Sequence, residues 1–293
     1  MTEMTEMTKL TELQTLELYL SKPSPSTKRE FSAGTKKSYV ATYNKLVKLL
    51  KTDIHLASQK KILEVIDELG FGVATQSSYI NVAVIVRNLY GYDVAVLTKQ
   101  RDNNKTPIAD ANKTKNENLS LTLPSYDDLI NHLNALYYDE NWSHFIINYL
   151  LVNFGVRNAD VNVEIVSLKR EAINSESNYI WMPKSANKAV WIRNFYKTVG
   201  NYGTQEIEIT DAKFIHALKN VKIKVLLPNN TNVGALVKTI TLNGIGEGAY
   251  FKILVDHFKT DLNKLKELSE YRGTSLETII SSYNLNKKST VKV

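Results

Sequence analysis

Between residues 32 and 97 apolar side chains return every three or four positions. Tyr39, Tyr43, Leu46, Val47 and Leu50 form one set, Ile62, Val65, Ile66 and Leu69 a second, and Tyr79, Val82, Val84, Ile85 and Leu89 a third. This is the helical period, and it predicts a small all-helical domain over residues 32–100. Upstream, an amphipathic stretch over residues 9–20 breaks at Lys22-Pro23-Ser24-Pro25-Ser26, so residues 1–31 read as an N-terminal arm on a flexible hinge. From 101 to 123 the chain turns polar and rich in Lys and Asn, which reads as a linker.

A second domain is expected over 124–286. Ser125 with Asp128 makes a capping pair for a helix carrying Leu129, Leu133 and Leu136, and residues 142–154 are apolar nearly all round, the mark of a buried helix. The period then changes. Residues 178–182 and 189–195 are short aromatic and aliphatic runs separated by Pro183-Lys184-Ser185-Ala186-Asn187, and 205–209 alternates as a third strand. Helical spacing resumes over 212–218, 233–242, 248–258, 262–268 and 275–283, with a polar tail at 287–293. The fold class expected is mainly α with a small antiparallel β-sheet.

Composition narrows the function. At 293 residues with 43% hydrophobic and 23% charged side chains, the chain is long enough for two cores and is not a disordered or low-complexity polymer. It has no cysteine, which excludes disulfides, thiolate metal sites and cysteine nucleophiles, and points to a reducing interior, cytoplasmic or nuclear. No apolar run approaches the roughly 18 residues that cross a bilayer, and the N-terminus lacks the pattern of a signal peptide. A formal charge of +7 favours an anionic partner, nucleic acid before membrane. The five histidines are too scattered for a metal cluster, and nucleotide-binding, zinc-protease and serine-hydrolase signatures are missing.

Three segments carry candidate chemistry. In Phe154-Gly155-Val156-Arg157-Asn158-Ala159-Asp160 a buried helix ends in a glycine turn, then an arginine and an acid. Arginine is scarce here, seven against thirty lysines, so Arg157 stands out as a phosphate fork, with a structural Arg157–Asp160 ion pair as the alternative. Lys197 lies in Ile192-Arg193-Asn194-Phe195-Tyr196-Lys197-Thr198-Val199-Gly200, between proposed strands, where a lysine protonates a leaving oxygen, contacts phosphate, or is simply solvated. The third segment runs from Leu265 to Asn284 and includes Tyr283, one of sixteen tyrosines.

In this order the segments resemble the tyrosine recombinase and phage-type integrase family, over residues 33–286. The Gly155-Val156-Arg157 turn looks like its first arginine box, Lys197 like its β-turn lysine, and the stretch from Leu268 to Tyr283 like its second box and nucleophile. The resemblance implies a helical core-binding domain, then a mixed α+β catalytic domain. It further implies double-stranded DNA as the partner, with homo-oligomers on DNA as one option, and it implies no metal or organic cofactor. Tyr283 would attack a phosphodiester to form a 3′-phosphotyrosyl bond, with Arg157 as clamp and Lys197 as general acid. Lys36, Lys37 and Lys45 from the first domain, and Lys184 and Lys188 from the second, would touch the DNA backbone as the two domains close around it.

The pattern is incomplete. The family's phosphate-donating His or Trp falls on Thr274, and its His-x-x-Arg pair on Gly248 and Phe251, leaving Lys252 or Arg272 as stand-ins that do not naturally point the same way from a helix. A tyrosine hydroxyl with a free pKa near 10 is a poor nucleophile without a positive cluster, and each missing donor costs roughly 10²–10³ in rate. Three readings follow: an active recombinase, a degenerate one that binds or organises DNA without cutting, and a helical scaffold.

Overall fold

A computed structural model describes residues 10–25, 28, 30–183, 187–227, 232–283 and 285, the side chain of Asn201 excepted. The chain divides into two compact units, residues 1–113 and 114–293.

The first unit is helical: α1 (Glu12–Ser21), α2 (Ala33–Leu50), α3 (Gln59–Glu68), α4 (Val73–Leu89) and α5 (Ala95–Asn103), with the division falling inside α6 (Lys105–Ser120). Leu46, Ile62, Ile66, Ile80, Val86 and Leu97 meet in one core, as the spacing of the apolar positions requires. Residues 12–21, expected within a free arm, join that core instead. A Thr11–Gln14 capping box starts α1, and Leu16 and Leu20, four residues apart, are buried. The buried Glu12 carboxylate accepts the main-chain N–H groups of Ile54 and His55 at 3.0 and 2.9 Å. An amphipathic segment this short gains stability only by burying its stripe. Most of the 101–123 stretch, expected as a linker, is the helix α6, which buries only Asn116.

In the second unit, α7 (Tyr126–Tyr138) begins at the predicted cap, where Ser125 and Asp128 bond reciprocally. The next helix, α8 (Trp142–Phe154), is buried on nearly every side. Then come β1 (Val163–Val166), β2 (Asn178–Trp181), β3 (Ala189–Arg193), the short α9 (Val199–Tyr202) and β4 (Gln205–Ile209). The chain closes with α10 (Ala212–Asn220), α11 (Val233–Ile240), α12 (Glu247–His257), α13 (Leu262–Arg272) and α14 (Leu276–Ser282).

The sheet order is β1-β2-β3-β4. The three expected strands pair antiparallel, but β1 joins β2 in parallel, so the sheet is mixed rather than antiparallel. Residues 167–177, with a 3₁₀ turn at Lys169–Glu171, carry the chain back to the end from which β1 set out, as a parallel pair requires. One face sends Val163, Ile180, Trp191 and Ile209 into the core beneath α8, where the Phe154 and Trp191 rings meet edge to face at 5.4 Å. Each such buried side chain contributes about 1.5–3 kcal/mol. Among the described residues no helix is long and apolar enough to cross a membrane.

Candidate functional site

Two helices of the second unit end in glycines with left-handed backbone, and the site is built where these ends meet. At the end of α8, Gly155 has φ +60°, and a Cβ there would lie 2.8 Å from the Phe251 ring, so the turn into Arg157 needs glycine for both reasons. At the end of α13, Gly273 also has φ +60°, and a Cβ would lie 2.0 Å from Thr198 Oγ1. The connection carrying Lys197 and Thr198 is thereby packed against the residue that follows Arg272.

The two arginines clasp each other's turns. Arg272 Nη1 donates to the Gly155 and Val156 carbonyls at 2.9 and 3.2 Å, and Arg157 Nη1 donates to the Arg272 carbonyl. Helix α8 ends with carbonyls that have no partner within the helix; a cation there satisfies them and suits the negative end of the helix dipole. Arg272 is only 2% exposed, and its Nη2 pairs with Glu247 Oε2 at 2.9 Å. Its guanidinium lies over the rings of Phe251 and Tyr283, 4.1 and 5.2 Å from their centroids, and those two rings meet edge to face at 4.8 Å. Arg157 is half-buried. Burial and the adjacent Arg272 charge pull its guanidinium below the ordinary arginine range, against the opposing influence of Asp160, Tyr283 and Glu247.

Behind Arg157 lies a second charged pair. Asp160 Oδ2 accepts the main-chain N–H of Arg157 at 2.9 Å, and the carboxylate's ion pair, at 3.0 Å, is with Arg193 rather than with the Arg157 side chain. Both side chains are fully buried, and Arg193 sits over Trp191 and Tyr196 at 5.1 and 4.5 Å. Burial pushes the Asp160 carboxyl up, with Arg193 opposing it, and pulls Arg193 down, with Asp160 opposing it. Among the described residues, the buried polar side-chain atoms with no protein partner are Asn158 Oδ1, Asp160 Oδ1, Trp191 Nε1, Arg193 Nε, Thr198 Oγ1 and Arg272 Nε. All belong to the segments that assemble this cluster, an unusual concentration, since buried polar atoms are normally paired.

The structure thus brings together Arg157, Arg272 and Tyr283, and sets the turn beside Lys197 against them. Lys197 is exposed and lies in the β3–β4 connection, between the second and third expected strands, and β2 and β3 form the sheet's other antiparallel hairpin. That hairpin's turn contains Lys184, which lies outside the described residues, and Lys188, which is tied to Glu208 across the sheet at 2.6 Å. Lys252 is not at the cluster: it reaches away to Asn116 Oδ1, and Asn116 in turn donates to the Ser282 carbonyl at 3.2 Å. Phe251 fills its expected arginine slot as a fully buried ring, and the Thr274 main chain closes the α13 turn through Ser269. Gly248 is half-buried.

In the first unit the three α2 lysines do not share a face. Lys36 and Lys37 line a groove with Leu20 and Val40, while Lys45 turns onto Phe71, 4.5 Å from the ring centroid. The tail at 287–293 lies outside the described residues, and among those described no three His, Asp or Glu side chains converge as metal ligands do.

Two features of the cluster escape a sequence reading, the Glu247 partnership and the inward direction of Arg272. The second had a signal. Leu265, Leu268, Ser269 and Arg272 follow i, i+3, i+4, i+7 spacing and are the buried stripe of α13. No comparable pattern marks Glu247, the first residue of α12.

No protein-family model and no curated protein matches the chain. Among solved structures, the crystal structure of XerA recombinase is similar to it, with a TM-score of 0.35 and 12% identity over 94% of each chain.

Proposed function

We propose that this chain binds double-stranded DNA through the phosphodiester backbone at the Arg157 cluster and has lost efficient strand cleavage. The observation that carries the reading is the unequal state of the two guanidiniums beside Tyr283. Arg157 is half-buried, and among the described residues its side chain has one hydrogen-bond partner, the Arg272 carbonyl. A planar fork with free N–H groups suits a phosphate oxygen pair. Arg272 is buried and committed to Glu247 and two carbonyls. Cleavage by Tyr283 needs several donors on the non-bridging oxygens and a proton source for the leaving oxygen. With Phe251, Gly248 and Thr274 at the expected positions, that set is depleted, at roughly 10²–10³ in rate for each donor. Binding needs only the accessible cation and nearby lysines, and the formal charge of +7 supports it.

The close approach of Arg272 to the Tyr283 ring favours a second reading, residual strand transfer with Tyr283 as nucleophile. Purified protein incubated with labelled intact and nicked duplexes separates the two. Retarded complexes on native gels without a covalent band on denaturing gels, unchanged in Tyr283→Phe, support the binding reading. A covalent band abolished by Tyr283→Phe establishes strand transfer, and the lack of any retarded complex overturns both.

A further inference from the structure

We infer that Glu247 is an internal occupant of the anion site on Arg272, a carboxylate that an incoming phosphodiester must displace, so that this residue sets the affinity of the site. The inference rests on the binding reading above and concerns its regulation.

The geometry is that of a filled anion site. Arg272 has its Nη1 fixed on the Gly155 and Val156 carbonyls and its Nη2 on Glu247 Oε2 at 2.9 Å, while Nε has no protein partner among the described residues. Its side chain is 3% exposed and that of Glu247 is 19% exposed, so the carboxylate's side chain is the member of the pair more open to solvent. A singly charged carboxylate and a singly charged phosphodiester offer a guanidinium the same recognition: one negative charge spread over two oxygens.

Charge balance makes the two interchangeable. Arg157, Arg193 and Arg272 stand against Asp160 and Glu247, and Asp160 is committed to Arg193 inside the protein at 3.0 Å. Glu247 pairs with Arg272 and, together with Asp160 and Tyr283, acts on Arg157, so it offsets charge on both of the adjacent guanidiniums. Moving Glu247 aside without a replacement leaves a buried guanidinium uncompensated, which is costly, whereas replacing it with a phosphodiester preserves both charge and hydrogen bonding. The contact therefore favours a backbone phosphate that brings further contacts from the rest of a duplex over a small free anion, which has to displace Glu247 alone.

The test compares full-length wild type with Glu247→Gln, which keeps shape and removes charge, and with Glu247→Asp, which withdraws the charge by one methylene. Duplex affinity is read by fluorescence anisotropy at fixed salt, and anion binding by the rise in melting temperature with inorganic phosphate. Glu247→Gln is expected to bind duplex about tenfold more tightly, ~1.4 kcal/mol. Phosphate should protect it at lower concentrations than wild type, with Glu247→Asp between the two. Equal duplex affinity and equal phosphate protection in wild type and Glu247→Gln overturn the inference while leaving the binding reading intact. Phosphate protection that increases in Glu247→Gln without duplex binding by either protein overturns the binding reading and leaves the inference standing. If Glu247→Gln does not fold, Glu247→Asp decides: no gain over wild type overturns the inference.

Discussion

The Arg272 guanidinium lies 4.1 Å from the centroid of the Phe251 ring, so the position where the resemblance places a second arginine holds an aromatic platform with an arginine from another helix on top of it. The charge comes from the end of α13 instead of from α12, and it serves first to hold the α8 turn together. Replacing it should expose this dual role. Arg272→Ala removes the partner of Glu247 and of two carbonyls, and is expected to cost about 3 kcal/mol in a denaturant titration. Arg272→Lys should recover less than half of that loss, because an ammonium cannot span carbonyls and carboxylate as a planar fork does. Full recovery by lysine would show that only the charge matters.

Gly273 couples the arginine turn to the Lys197 connection. A methyl group there meets Thr198 Oγ1 and occupies a left-handed backbone at once. Gly273→Ala is expected to destabilise the protein by about 2–4 kcal/mol. The pair Gly273→Ala with Thr198→Gly should regain the part due to the clash, leaving the backbone strain. Melting temperatures of the single and double variants measure this, and a double variant no better than Gly273→Ala would argue against the contact.

Asp160 orients Arg157 through its main-chain N–H and neutralises Arg193, with both pair members wholly buried. Asp160→Ala leaves a buried guanidinium without its counter-charge and should cost about 3–5 kcal/mol. Unfolding in urea measures it, and a loss below about 1 kcal/mol would mean that the pair contributes little beyond its own desolvation.

Tyr250 gives the fold a sensitivity to alkali. Its hydroxyl donates to Asn148 Oδ1 and accepts the Leu242 N–H, both at 2.9 Å, and burial pushes it up to about 12. Because the folded value lies above the unfolded value near 10, the stabilising contribution is complete below pH 10 and disappears as pH rises through about 12. The loss from this residue alone is on the order of 2–3 kcal/mol. Burial also raises Tyr43 and Tyr149, and steepens the same decline. Stability measured from pH 9 to pH 12 should fall, and Tyr250→Phe, less stable at neutral pH, should fall less steeply. Parallel curves for the two proteins would contradict this.

Much of the second unit was legible in the sequence because its signals are local. The Ser125–Asp128 cap, the all-round apolar α8, the short apolar runs of β2 and β3 and the alternation of β4 follow from local pattern alone. Strand β1 was not legible: four residues that pair in parallel across an intervening turn leave no hairpin pattern. Helix α6 escaped because only Asn116 is buried along its length, so no apolar stripe marks it. The arm reading of residues 1–31 failed over α1 because docking depends on Glu12 meeting the main chain of Ile54 and His55, more than forty positions away.

At the site, Arg157 and Tyr283 could be chosen from their segments, but their proximity depends on how α8, α13 and α14 pack. Arg272 was legible only in part. Its heptad spacing from Leu265 marks the buried stripe, yet nothing local says that a buried arginine will find Glu247 and the α8 carbonyls waiting.

Arg157 is the side chain on which the proposed hold on a DNA phosphate depends. The most direct test is duplex affinity measured as a function of salt for wild type and Arg157→Gln, with folding of both verified by melting. Wild-type affinity should fall steeply as salt rises, and Arg157→Gln should bind about tenfold more weakly, with a log–log salt slope shallower by about 1, the loss of one phosphate contact. A folded Arg157→Gln protein with wild-type affinity and slope, or a wild type that binds no duplex at low salt, would contradict it.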